Sequence, residues 1–242
     1  MEVLAVIPAR GGSKGLKDKN ILPLLNHPLI AYSIKAAQES KKINRIIVST
    51  DSQKIADVAL QYKAEVPFLR PDTFAQDLST DKEVFLHALQ WLKEKENYVP
   101  DLVVQLRPTS PVRFAHEIDL CIEKLINSDA DSLRIVTEAP CTPYKMWRVD
   151  KDSGMMTPLL ELENTKEPYN QPRQQLPKVF WQVGTLDVIR TECILKKDSL
   201  SGDKVLSHVI DNESSIDIDD IHSFEKAANS IQKLGSVNFI NE

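Results

Sequence analysis

Short apolar runs alternate with amphipathic stretches along most of the 242-residue chain. Residues 3–9 (Val-Leu-Ala-Val-Ile-Pro-Ala) are rich in β-branched side chains and predict a strand buried on both faces. Leu29 to Ala37 carries apolar residues at helical spacing, Arg45 to Asp51 reads as a second strand with a polar end, and Gln53 to Tyr62 as a helix. Ala64 to Leu69 predicts a third, short strand, and a helix follows over Lys82 to Lys95 with Val84, Leu86, Leu89 and Leu92 as its core face. Strands over 101–106 and 131–136 flank a helix from His116 to Ile126; a further strand is expected over 180–189. The last segments are a strand at Ser215–Asp220 and a helix at Ser223–Leu234. Strand and helix alternating at this pace mean βαβ units, hence an α/β fold with a mostly parallel sheet flanked by helices. In such sheets ligands bind at the carboxyl ends of the strands, which here carry the loop after residue 9 and Asp51.

The rhythm breaks between residues 138 and 180. That stretch holds six of the fourteen prolines (Pro140, Pro143, Pro158, Pro168, Pro172 and Pro177) and has no βαβ pattern. Tyr144, Met146, Trp147, Leu159, Leu160 and Tyr169 argue for an ordered arm, since they need burial. The expected organisation is one α/β domain from 1–137 and 181–242 with a small arm at 138–180. An apolar arm wants a partner surface, which predicts a homodimer.

Composition narrows the function. The net charge of −5 argues against a nucleic-acid partner, and the basic residues instead gather at the first loop. Cys121, Cys141 and Cys193 lack metal-ligand spacing and read as free thiols in a reducing compartment. No apolar stretch is long enough to span a membrane, and no signal-peptide pattern opens the chain, so a cytoplasmic protein is expected.

The first loop carries the chemistry. Arg10, Gly11, Gly12, Ser13, Lys14 and Gly15 follow the first strand, with Lys19 and Asn20 close behind. Glycines can turn sharply and present backbone amides to one point, and three cations sit among them, so the loop suits a polyanion such as a nucleoside triphosphate. Neither G-x-x-x-x-G-K-[S/T] nor G-x-G-x-x-G occurs, so this is a phosphate site of another kind or a tight turn with solvated lysines. Near the other end, Asp217 and Asp219 alternate and would present two carboxylates on one face, natural ligands for Mg²⁺ beside phosphates.

Arg10-x-x-Ser13-Lys14-Gly15-Leu16-x-x-Lys19-Asn20 resembles the signature loop of the CMP-sialic acid synthetases (acylneuraminate cytidylyltransferases), a family that includes CMP-legionaminate and CMP-pseudaminate synthetase-like enzymes. The resemblance extends over roughly residues 3–225. It implies a Rossmann-like sheet of the nucleotide-diphospho-sugar transferase type. By the same resemblance Arg70, Asp77 and Thr80 in the segment from Arg70 to Thr80 would meet the nucleotide, although Thr80 also reads as a helix cap. Leu106-Arg107-Pro108-Thr109-Ser110-Pro111-Val112-Arg113 is similar to the family's L-Q-P-T-S-P-L-R, with Arg107 where Gln is usual. That position would lie between nucleotide and acceptor, and arginine there adds a forked positive charge. Gln171-Pro172-Arg173-Gln174-Gln175-Leu176-Pro177 resembles the motif whose arginine meets the acceptor acid, which implicates Arg173 and Gln174. Lys145 resembles a lysine reaching the acceptor from the neighbouring subunit. Over 180–189 the pattern departs again: Trp181, Val183 and Asp187 stand where Arg, Asn and Tyr are usual, so Trp181 and Asp187 become acceptor-side candidates that alter which acid fits. Ser215-Ile216-Asp217-Ile218-Asp219 is similar to the family's metal-holding segment.

The resemblance implies transfer of CMP from CTP to the anomeric hydroxyl of a nonulosonic acid, with Arg10, Lys19, Asp217 and Asp219 as the catalytic set and Mg²⁺ as cofactor. Three other readings stay open: a sugar-phosphate nucleotidyltransferase using another NTP, a CMP-Kdo synthetase, and a nucleotide-binding protein without catalysis.

Overall fold

The first apolar run forms strand β1 (Val3–Pro8) at the heart of the computed structural model, which describes residues 1–13, 15–76, 78–237 and 239. Its side chains divide between two cores. Val3, Ala5 and Ile7 pack on one face of the sheet, Leu4 and Val6 on the other, which is why the run is apolar throughout. A small antiparallel hairpin of β2 (Pro23–Leu24) and β3 (His27–Pro28) leads into α1 (Leu29–Glu39). Then come β4 (Arg45–Ser49), α2 (Gln53–Gln61), α3 (Asp81–Glu96), β5 (Leu102–Gln105), α4 (Ala115–Ile126) and β6 (Ser132–Glu138). After the arm, β9 (Phe180–Arg190), α5 (Thr191–Lys196), β10 (Val205–Val209) and α6 (Ile221–Leu234) complete the chain.

Six strands form one sheet in the order β10-β6-β9-β5-β1-β4. β1 pairs in parallel with β4 and β5, and β10 in parallel with β6; β9 runs antiparallel between β5 and β6. One face is covered by residues of α1, α2, α4 and α6, the other by α3 and α5. The carboxyl ends of β1, β4 and β5 therefore open side by side.

Two expected strands do not form as such. Residues 64–69 contribute only the isolated bridges Glu65 to Ile47 and Leu69 to Thr50. Pro67 sits between them and has no N–H for the ladder, so pairing cannot run through. Residues 215–218 are likewise outside the sheet, although burial alternates as expected: Ile216 and Ile218 point inward, Asp217 and Asp219 outward. The segment is fixed by the Ile218 N–H, which donates to the Thr109 carbonyl at 2.8 Å. The edge strand β10 and the short α5 carry weak patterns and were not expected.

The arm leaves and rejoins the sheet at one place, since Glu138 and Phe180 are paired neighbours of β6 and β9. Between them lie a hairpin, β7 (Trp147–Val149) with β8 (Met156–Pro158), and three short 3₁₀ turns. Met146, Trp147, Val149, Met155, Met156, Leu160, Phe180 and Trp181 are all exposed in the single chain, so the burial expected of the arm's apolar residues is largely unmet within it.

Candidate functional site

The loop after β1, the start of α3 and the turn after β5 enclose a cleft of about 400 Å³ at the carboxyl ends of the central strands. Arg10, Ser13, Gly15, Lys19, Asn20, Arg70, Arg107 and Asp219 line it, together with Phe74, Gln76, Ser79 and Asp81. Four cations thus face two carboxylates among the described lining residues.

The loop is held by its own polar groups. Asn20 is buried and its Nδ2 donates to the Arg10 carbonyl at 2.9 Å. The Gly11 amide donates to Asp51 Oδ1 at 2.9 Å and the Ser13 amide to the Gly11 carbonyl at 3.0 Å. These two amides are spent inside the protein, so the anion cradle expected from glycine amides is not what the loop offers there; the side-chain cations are. Gly15 is a glycine for want of space, because a Cβ there would lie 2.3 Å from the Asp219 carbonyl oxygen. That contact brings the first loop against the 215–220 segment. Lys19 reinforces it, donating from Nζ to the Ile218 carbonyl at 2.6 Å and standing 3.3 Å from Asp219 Oδ1. Nothing lies within 4 Å of a Cβ at Gly12.

Arg70 is the electrostatic anomaly. Its guanidinium is almost wholly buried and, among the described residues, its Nε has no hydrogen-bond partner and its ion pair with Asp51 Oδ1 is long, at 3.8 Å. Burial pulls its pKa down and the charge of Arg10 adds to that, against Asp51 and Asp81. A buried guanidinium so poorly matched favours an incoming anion.

At the other end Arg107 Nη2 donates to Asp81 Oδ2 at 2.5 Å. Burial opposes both charges, yet the pair prevails: the Asp81 carboxyl lies below its ordinary range and Arg107 above its own. Asp187 does not reach the cleft. It is buried behind Arg107, 3.8 Å from Nη1 and 2.5 Å from Arg134 Nη1.

Other expected site residues are placed elsewhere. Thr80 caps α3 in a reciprocal box with Glu83 and does not line the cleft. Arg173 and Gln174 line a second cleft of about 300 Å³ at the base of the arm. There Arg173 donates to the Ala139 and Pro140 carbonyls and stands 3.6 Å from Glu138. Lys145 and Trp181 are exposed and line neither cleft. Lys14 and Asp77 lie outside the described residues.

Asp81, Arg113 and Arg134 were not singled out in the sequence. An aspartate in a first helical turn reads as a dipole partner, and nothing local announces its pairing with Arg107. Among the described residues no three His, Cys, Asp or Glu side chains are grouped to hold a metal. Asp219 offers one exposed carboxylate at the cleft and Asp217 a second just outside it, which suits a hard cation that shares its shell with phosphate oxygens and water.

Comparison with known proteins fits this geometry. The family model "Cytidylyltransferase" matches residues 4–174. The chain is 39% identical over 165 residues to the CMP-N,N'-diacetyllegionaminic acid synthase of Legionella pneumophila, covering 66% of this chain and 68% of that protein. It is 32% identical over 240 residues to the N-acylneuraminate cytidylyltransferase of Escherichia coli, 96% of this chain but 52% of that protein's length. In structure it is similar to a CMP:2-keto-3-deoxy-manno-octonic acid synthetase complexed with CTP, with a TM-score of 0.70 at 12% identity, covering 97% of this chain and 100% of the other. The sheet with its cleft at the strand ends, the cationic first loop and a family match over most of the chain converge: this chain belongs to the cytidylyltransferase family.

Proposed function

We propose that the chain transfers CMP from CTP to the anomeric hydroxyl of a nonulosonic, sialic-type sugar acid and releases pyrophosphate. The observation that carries this reading is the under-matched, buried Arg70 guanidinium in one cleft with Arg10 and Lys19. The names of the relatives supply the class of acceptor. The acceptor hydroxyl attacks the α-phosphorus, the new O–P bond replaces the bond to pyrophosphate, and the hydroxyl proton leaves to water. No histidine lines the cleft among its described residues, so positioning and charge neutralisation carry the rate. Arg10, Lys19 and Arg70 hold the triphosphate and the departing pyrophosphate. Asp219, with Asp217 beside it, would hold Mg²⁺, which when bound screens phosphate charge and acts as a Lewis acid.

The arm completes the reading. Its exposed apolar face and the placement of Lys145, Arg173 and Trp181 away from the first cleft suit a homodimer in which one arm serves the partner's site. Sedimentation velocity is expected to give twice the 27.4 kDa chain mass, and a monomer at micromolar concentration would refute the dimer. Cys121, Cys141 and Cys193 are unpaired, which suits a reducing compartment such as the cytoplasm. Among the described residues no helix is long and apolar enough to cross a membrane.

Pyrophosphate release with Mg²⁺, each NTP in turn, and a panel of nonulosonic acids, Kdo and sugar 1-phosphates tests the reading. Release with CTP and a nonulosonic acid is expected. Release only with a sugar 1-phosphate or another NTP, or CTP binding without any release, would replace it.

A further inference from the structure

Asp51 stands where two walls of the cleft meet the sheet. It follows the end of β4, and the backbone on either side is tied to that end. The Ala9 amide donates to the Ser49 carbonyl at 3.0 Å, and the Arg70 amide to the Thr50 carbonyl at 2.7 Å. The first loop and the segment bearing Arg70 therefore both hang from residues 49–50. One oxygen of the Asp51 side chain then faces both. Oδ1 accepts from the Gly11 amide at 2.9 Å and lies 3.8 Å from Arg70 Nη2.

These two distances decide what the carboxylate can do. The first is an ordinary hydrogen bond and the second is too long to be one. The loop backbone also lies directly on the turn, since a Cβ at Gly11 would be 3.0 Å from Ser52 Cβ and 3.6 Å from Asp51 Oδ2. Asp51 therefore cannot close on Arg70 without letting go of Gly11. Arg70 still needs a counter-charge. Burial pulls its pKa down and Arg10 adds to that, while Asp51 is the stronger of the two carboxylates that oppose them. Asp81, the other, is already bound to Arg107 at 2.5 Å. A counter-ion held at this distance keeps the guanidinium charged, yet leaves it without a close carboxylate among the described residues.

We propose that Asp51 is a positioning residue that anchors the first loop through Gly11 and, held back by that bond, serves Arg70 as a loose counter-ion which an incoming phosphate outcompetes. This role rests on the reading that the cleft takes the phosphate end of CTP. It names the group that sets how tightly that end, and the pyrophosphate it becomes, is held. A close bidentate carboxylate would occupy the fork of Arg70 and shut phosphate out. No carboxylate at all would leave a bare buried charge that destabilises the empty site and grips an anion harder. Asp51 at 3.8 Å lies between these extremes.

Calorimetric titration of the full chain with inorganic pyrophosphate, Mg²⁺ present, tests this and needs neither acceptor nor turnover. Asp51→Asn keeps an oxygen for the Gly11 amide and removes the charge. It is expected to tighten pyrophosphate binding about fivefold, the scale of one charge acting across a partly solvated site. It should also lower the melting temperature of the unliganded protein by about 4 °C. That loss should disappear in the Arg70→Met background, where no guanidinium is left to balance. Asp51→Glu keeps the charge and has the length to close on Arg70. It should weaken pyrophosphate binding about fivefold, and it serves if Asp51→Asn does not fold. Weaker or unchanged binding in Asp51→Asn would overturn the role of Asp51 alone. So would tighter or unchanged binding in Asp51→Glu, or an equal melting loss with and without Arg70. A wild-type chain that binds neither pyrophosphate nor CTP would overturn the reading of the cleft, and this role with it.

Discussion

Asp219→Ala is expected to slow pyrophosphate release by ~10²–10³-fold or more, the scale of losing one preorganised electrostatic contact to the transition state. The same change should move the melting temperature by no more than ~2 °C, as for a surface substitution in a domain of this size. The two halves of this result follow from one geometry. The Asp219 side chain is 83% exposed at the cleft rim and, among the described residues, its one ion pair is with Lys19 at 3.3 Å, so the fold asks little of it. Its backbone, not its carboxylate, packs against Gly15 and positions the loop, and alanine keeps that backbone. The carboxylate is left for a cation shared with the phosphates. Asp219→Asn should lose as much as alanine, since shape without charge does not hold a divalent ion. Turnover near the wild-type rate in either variant would remove Asp219 from the metal assignment.

Arg113→Met is expected to do the opposite, costing stability first. Arg113 is 1% exposed, with no carboxylate partner among the described residues. Its guanidinium donates to the Thr185 carbonyl, Ser33 Oγ and the Arg107 carbonyl. Burial pushes its pKa down to about 9, with the charge of Arg107 adding, so it remains charged at neutral pH. Methionine fills similar volume but strands the Thr185 carbonyl in a dry interior, while the Arg107 carbonyl keeps the Ser33 hydroxyl and the Ser110 amide. The loss is ~1–3 kcal/mol for the stranded group. For a chain of this length that lowers the melting temperature by roughly 5 °C. Arg113→Lys should recover only part of it, because one ammonium cannot reach all three acceptors. Thermal unfolding of both variants decides; a shift under ~2 °C for Arg113→Met would mean the three acceptors find other donors.

Much of the fold was legible because single segments announce themselves. β1 reads from its unbroken apolar run, α3 from its spacing and the Thr80 cap, α6 from Asp220 before it, and the cationic loop from its residue types alone. What failed depended on contacts across the chain. Residues 64–69 look like a strand until Pro67 is set against the ladder it would have to join. Asp217 and Asp219 alternate as a strand would, yet the segment is held by one bond to Thr109 and joins no sheet. The Gly11 amide looked free for a ligand, and Asp51, forty residues on, takes it. Arg107 and Asp187 each stand out as departures from a familiar pattern; only the structure brings them within 3.8 Å and turns two oddities into one arrangement. Arg173 and Lys145, expected beside the acceptor, lie away from the cleft within one chain.

The most direct test of the central claim is ³¹P NMR of a reaction containing the protein, Mg²⁺, CTP and the sugar acid that supports release. The account predicts loss of the three CTP resonances with equal appearance of one phosphodiester signal and pyrophosphate, the mark of CMP joined to the acid. Orthophosphate with CDP, or a new diphosphate diester in place of the monophosphate diester, would contradict it.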